Sequence, residues 1–283
     1  MRSSLALLLS IAAPWAAPWP AAAAERPVAL VACAPGYPGT TAEAQPSMDA
    51  FAAALSRAAG WPAGRVTAAY HETEQGGLAR LAAPDAALAL VPLPFLLQHG
   101  ERLKLSPRLQ VQSKGAELTE VWSLVARRGQ VGSPAALDGF TVVSLAGYSP
   151  AFVRSALGSW GRIPEGARVV HSGQVLSALR KAAGGEKVAL LLDGAQAAAL
   201  PTLPFAADLE TVARSAPLPA AFVCTVGNRL AAARWKALEK AFLALPSIPE
   251  GAAAMEGLRF ARFAPVDAAA LAAARRAFAG TPR

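Results

Sequence analysis

The residues able to do chemistry in this 283-residue chain are few and scattered. Its three histidines, His71, His99 and His171, lack metal-ligand spacing. There is no G-x-S-x-G elbow, no Walker loop, and no carboxylate pair placed as an acid/base dyad. What recurs instead is a hydroxyl, imidazole or carboxylate just after an apolar run. Tyr37 and Thr40 follow Val28–Cys33; Tyr70 and His71 end a second run. Pro94 and Phe95 follow a third, Tyr148 and Ser149 a fourth, and His171 closes a fifth. Asp193 follows the run VALLL. These side chains are candidates for contacting a small molecule, and with no catalytic constellation standing out no enzyme, cofactor or metal is expected. An exported enzyme using the same groups is the weaker reading.

The elements that position them alternate between strand-like runs and helical periodicity. Strands are expected over Val28–Cys33, Arg65–Tyr70, Ala86–Val91, Val121–Ala126, Phe140–Leu145, Arg168–His171, Val188–Leu192, Leu209–Ala213 and Phe222–Val226. Helices are expected over Pro46–Ala59, Glu72–Ala82, Pro150–Trp160 and Gln174–Ala183, and everything after Leu230 reads as helical. Fully apolar strands between helices indicate a mostly parallel sheet. In such folds ligands bind at the carboxyl ends of the strands, beside helix N-termini. Ser149 before Pro150 is a good helix start, and Asp193 can cap the helix that follows it or face the crevice.

Composition narrows the class. The chain is 54% apolar and 16% charged, the reverse of a disordered sequence. The mean hydropathy of +0.33 is raised by alanine. Met1–Ala24 has a short basic start, an apolar stretch and an Ala-x-Ala end, the pattern of a cleaved export signal. No later stretch supplies the ~20 apolar residues of a membrane span. Leu30-Val31-Ala32-Cys33 spells a lipobox, but Glu25, Arg26 and Pro27 separate it from the apolar stretch, so it reads as the first buried strand. The net charge of +8 is spread along the chain without aromatic interleaving, and no nucleic-acid partner is expected. Cys33 and Cys224 lie in apolar runs and read as two buried thiols, although an oxidising compartment permits a disulfide.

Five stretches, in order, resemble the periplasmic solute-binding proteins of ABC transporters for phosphate, phosphite and phosphonates. They are VACAPGYPGTTAEAQPSMDAFAAALSRAAG, APDAALALVPLPFLL, LTEVWSLVARRGQVGSPAALDGFTVV, HSGQVLSALRKAAGGEKVALLLDG and ARSAPLPAAFVCTVGNRL, and together they span residues 28–232. No single stretch is specific; order and spacing carry the likeness.

The resemblance implies an α/β, two-lobed type II periplasmic-binding-protein fold. Each lobe would be a mostly parallel sheet flanked by helices, joined by crossover strands near 118–122 and 214–219. Lobe one would be 25–118 with 219–283, and lobe two 119–218. It further implies a periplasmic monomer that holds a small anionic ligand between its lobes, with an ABC permease as partner. A sensory or accessory protein of the same fold is the alternative. Ligand contact at Ser149 and His171 follows from their place in the pattern. Where the family often has a Ser-Thr-Ser-Gly helix start, this chain reads Ala146-Gly147-Tyr148-Ser149-Pro150, with fewer hydroxyls.

Overall fold

The computed structural model describes residues 26–37 and 39–281; the expected export signal lies outside them. The chain opens with β1 (Val28–Cys33), α1 (Thr41–Ala58), β2 (Val66–His71), α2 (Glu74–Ala82), β3 (Ala86–Pro92), α3 (Leu93–His99) and β4 (Leu105–Ser113). It crosses through β5 (Thr119–Glu120) into β6 (Ser123–Arg127), β7 (Thr141–Ser144), α4 (Pro150–Ala156), β8 (Arg168–His171), α5 (Val175–Ala183), β9 (Val188–Leu192), α6 (Gly194–Ala199) and β10 (Leu209–Arg214). It returns through β11 (Leu218–Pro219) to β12 (Ala221–Val226), α7 (Ala232–Ala244), α8 (Pro249–Gly257), β13 (Phe260–Pro265) and α9 (Ala268–Ala279).

Two sheets result. The first has the order β13-β4-β12-β3-β1-β2, the second β10-β6-β9-β7-β8. Four of six strands in the first, and four of five in the second, run in one direction. The two crossover strands pair antiparallel, Leu218 opposite Glu120 and Pro219 opposite Thr119. Beside them the Trp122 amide donates to the Ser215 hydroxyl at 2.9 Å, and the Ser215 amide to the Trp122 carbonyl at 2.8 Å. Among the described residues no helix is long and apolar enough to cross a membrane.

Burial follows from the apolar runs. The outer face of sheet one packs Met48, Phe51 and Leu55 of α1 against Trp235 and Phe242 of α7. The outer face of sheet two packs Val125 and Leu190 against Leu179 of α5. A third cluster runs through both lobes, from Val91 and Phe95 to Trp122 and Phe152. Trp122 and Phe152 meet edge to face at 5.1 Å. The lobes are therefore closed on each other through an apolar contact.

Several expectations need correction. The helix expected from Pro46 begins at Thr41, because Thr40 and Glu43 form a reciprocal capping box that starts it earlier. Pro46 then sits inside α1. The helix expected to reach Trp160 ends at Ala156. The segment after Leu230 is not all helical, since β13 interrupts it, and β4 was not expected at all. In β4, Pro107 and Arg108 break the alternation of Leu105, Leu109 and Val111. They coincide with a register shift against Val223 and Cys224, which accommodates the missing proline N–H. Cys33 and Cys224 are free, buried thiols in strands separated by β3.

Candidate functional site

The loop after β1 brings lobe one to lobe two. At Gly36 φ is +81°, and a Cβ built there would come within 2.6 Å of His171 Cε1 at the end of β8. Gly173 is equally close, its built Cβ 3.0 Å from the Gly36 carbonyl oxygen. The carboxyl ends of the parallel strands in both sheets thus face each other, where ligand crevices form in open α/β sheets.

Five polar side chains converge at this junction. Tyr37, from the loop after β1, directs its hydroxyl at the carboxylate of Asp193. Asp193 ends β9 and is 3% exposed; one carboxylate oxygen accepts from the Gln196 amide at 2.8 Å, forming a capping box for α6. Glu120, on the crossover strand, accepts weakly from the Gly194 amide at 3.5 Å. The indole of Trp122, two residues on, lies towards Glu120, but its Nε1 has no partner in hydrogen-bond geometry. Tyr148 closes the group, its ring edge-on to His171 at 5.5 Å and its buried hydroxyl without a partner.

The electrostatics of this group are acidic. Burial first, and then the Asp193 charge, push the Glu120 carboxyl from its ordinary 4.5 to about 7. Burial also raises Asp193, against the opposing pull of its amide and tyrosine hydrogen bonds. Burial drives the Tyr37 and Tyr148 phenols well above their usual range, aided at Tyr37 by Glu120 and Asp193 and at Tyr148 by Cys33 and Glu74. Among the described residues no salt bridge reaches either carboxylate. The site therefore holds two acceptors, Glu120 and Asp193, with Trp122 turned towards Glu120, while the unpartnered Tyr148 hydroxyl has Cys33 and Glu74 as its charged neighbours.

The other sequence-derived candidates lie differently. Ser149 is fully buried at the start of α4, but its hydroxyl donates across the lobes to Gln98 Oε1 at 3.0 Å instead of capping the helix. His171 donates from Nδ1 to the Leu145 carbonyl at 2.8 Å, which fixes its ring beside Gly36. Thr40 is exposed, and its hydroxyl bonds Glu43 within the α1 cap. Tyr70 is half-buried against the outer core of lobe one. Pro94 is buried in the first turn of α3 and presents no polar group. The unpartnered His71 Nε2 is buried in lobe one. The structure thus gathers Tyr37, Tyr148, His171 and Asp193, and leaves Thr40, Tyr70 and Pro94 outside the polar group. Glu120 was missed by sequence reasoning; its only signal was an acid in the short segment LTEVW between two apolar runs.

No described cluster of three His, Cys, Asp or Glu side chains is placed to hold a metal ion. A groove of about 700 Å³ lies elsewhere on lobe one, bordered by Leu96, Lys104, Leu105, Gly227, Arg275 and Phe278. It has no comparable convergence of buried polar tips, so the junction is the better candidate.

Solved structures share this fold. A Xanthomonas citri protein, XAC2383, bound to chloride superposes with a TM-score of 0.69 at 15% identity, over 88% of this chain and 96% of that one. The binding component of an ABC phosphonate transporter from Pseudomonas aeruginosa gives 0.64 at 14%, over 89% and 86%. PhnD1 from Prochlorococcus marinus, in complex with methylphosphonate, gives 0.61 at 13%, over 89% and 97%. The fold is that of a type II periplasmic binding protein. No family model matches the chain, and no curated protein matches it either. Glu120 lies on one of the two paired crossover strands, with Trp122 just beyond it.

Proposed function

We propose that this chain is an exported solute-binding protein that closes its two lobes over a small ligand, in the periplasm, for delivery to an ABC permease. The observation that carries the reading is the cluster of Glu120, Asp193 and Tyr37 at the lobe junction, with the indole of Trp122 turned towards Glu120 and two buried donors, Trp122 Nε1 and the Tyr148 hydroxyl, left without partners. In an otherwise apolar contact, unpartnered polar groups are costly unless a ligand satisfies them. In this reading residues 1–24 are removed on export, lobe one comprises 25–118 and 219–283, and lobe two comprises 119–218.

The donors suit an acidic headgroup, as the phosphonate-binding neighbours suggest. The two carboxylates disfavour a bare dianion and suit an ammonium or hydroxyl on the same molecule. The ligand class proposed is therefore a small acid that also carries a donor group, such as an aminoalkylphosphonate. A thermal-shift screen of residues 25–283 with phosphate, phosphite, alkylphosphonates, aminoalkylphosphonates, sulfonates and simple amines tests this, because a ligand that binds the folded state raises Tm. The aminoalkylphosphonates are expected to give the largest rise. A screen in which only simple amines or nothing shifts Tm contradicts the proposed ligand.

A further inference from the structure

Ser149 occupies the residue before α4, where a serine hydroxyl ordinarily accepts from the amides of the first helical turn. Here it does something else. The side chain is fully buried, and its hydroxyl donates to Gln98 Oε1 at 3.0 Å, reaching out of lobe two to α3 of lobe one. α4 is left without a side-chain cap. The backbone agrees: ψ at Ser149 is 80°, just below the 96° to 176° at Thr40, Thr73, Asp193 and Asp267, whose side chains do cap α1, α2, α6 and α9.

The surroundings fix where the chain can turn. A Cβ built at Gly147 would fall 2.4 Å from the Val170 carbonyl oxygen, so the turn Leu145–Tyr148 lies directly on β8. Ser149 is the next residue with freedom to re-aim. Its partner Gln98 is exposed, which places the bond at the rim of the lobe contact. If α3 withdraws, water satisfies the Gln98 amide, whereas the Ser149 hydroxyl has the first-turn amides of α4 beside it.

We propose that Ser149 is a two-position switch, its hydroxyl latching Gln98 when the lobes are closed and capping α4 when they open. The two positions exclude each other, because the closed packing holds the Ser149 backbone out of cap geometry. The latch is a contact of protein with protein and needs no ligand. One neutral hydrogen bond favours closure by about fivefold, and the cap favours opening by a similar factor, so the two nearly cancel and the cleft opens readily. This rests on the two-lobe binding reading, but it concerns the ligand-free protein.

The switch separates two variants that a plain latch would make equal. Gln98→Ala removes the latch alone, while Ser149→Ala removes latch and cap together. The test uses ligand-free protein with spin labels at Lys240→Cys on lobe one and Lys181→Cys on lobe two; the native thiols are buried and stay unlabelled. Gln98→Ala is expected to lower the ratio of closed to open molecules about fivefold, and Ser149→Ala to leave it within about twofold of wild type. An unmoved ratio in Gln98→Ala overturns the proposal, as does an equal fall in the two variants. Amide exchange at Phe152, followed by NMR, gives a second reading. It is expected to be slower in Gln98→Ala, where the cap can form, than in Ser149→Ala, and equal rates overturn the switch. Failure here leaves the ligand screen unaffected, and failure of the screen leaves this result standing.

Discussion

Gly36→Ala is a wedge between the lobes, and its effect separates into two parts. The backbone at Gly36 has φ +81°, so an L-residue there costs about 1–2 kcal/mol whether the lobes are open or closed. The added methyl also falls 2.6 Å from His171 Cε1, 3.1 Å from Leu145 Cδ2 and 3.3 Å from His171 Nε2. The imidazole cannot simply turn aside, because Nδ1 is bonded to the Leu145 carbonyl at 2.8 Å and the ring stands edge-on to Tyr148. Displacing it costs about 0.5–1.5 kcal/mol for an off-rotamer ring, plus about 1 kcal/mol for the weakened hydrogen bond. This second part, about 2 kcal/mol, arises only on closure and corresponds to about thirtyfold in the closed population. Gly39→Ala is the control, since Gly39 has φ +102° with nothing within 4 Å of a built Cβ. Both variants are expected to lower Tm by several degrees, at about 2–4 °C per kcal/mol for a chain of this size. Only Gly36→Ala is expected to lengthen the mean inter-lobe distance, measured between spin labels at Lys240→Cys and Lys181→Cys, both exposed positions. Equal distances in the two variants would refute the assignment of Gly36 and His171 to opposite sides of a closing cleft.

Tyr148→Phe removes a buried hydroxyl that has no partner, so Tm without ligand is expected to hold or rise, while the affinity of a ligand found by screening falls about tenfold, as for one lost hydrogen bond; thermal unfolding reads the first and calorimetric titration the second. Thr40→Ala removes a cap and is expected to cost about 1 kcal/mol in denaturant unfolding with ligand affinity unchanged. Cys33 and Cys224 are buried, and burial raises both thiols, Cys33 to about 12. A thiol reagent is therefore expected to modify neither in the native protein at pH 8, and both of the chain's two cysteines once it is unfolded.

The two-sheet architecture was legible because its central strands are covered on both faces. Val28–Cys33 and Val188–Leu192 are uninterrupted apolar runs whose ends coincide with β1 and β9. β4 and β13 lie at the side of sheet one, where β12 and β4 are their main supports. Their sequences mix Pro, Arg and Phe, and only pairing with a distant strand reveals them. Tyr37, Tyr148 and Asp193 could be picked out because a strand end in an α/β sheet points to the crevice. Ser149 illustrates the limit of that rule. Its place at a helix start was readable, but its hydroxyl is taken by Gln98, 51 residues earlier, which no local pattern reports. Glu120 was illegible for the same reason: a glutamate in a short linker reads as solvated, and only the chain crossing that sets it beside Gly194 half-buries it.

The central claim is that a small solute is held at the junction of Tyr148, Trp122, Glu120 and Asp193. Calorimetric titration of residues 25–283 with an aminoalkylphosphonate, in wild type and in Asp193→Asn, tests it most directly. The expected result is one-to-one binding that Asp193→Asn weakens at least tenfold, with the same Tm for the two unliganded proteins to within a few degrees. One-to-one binding of equal affinity in both proteins would contradict the account and place the ligand elsewhere.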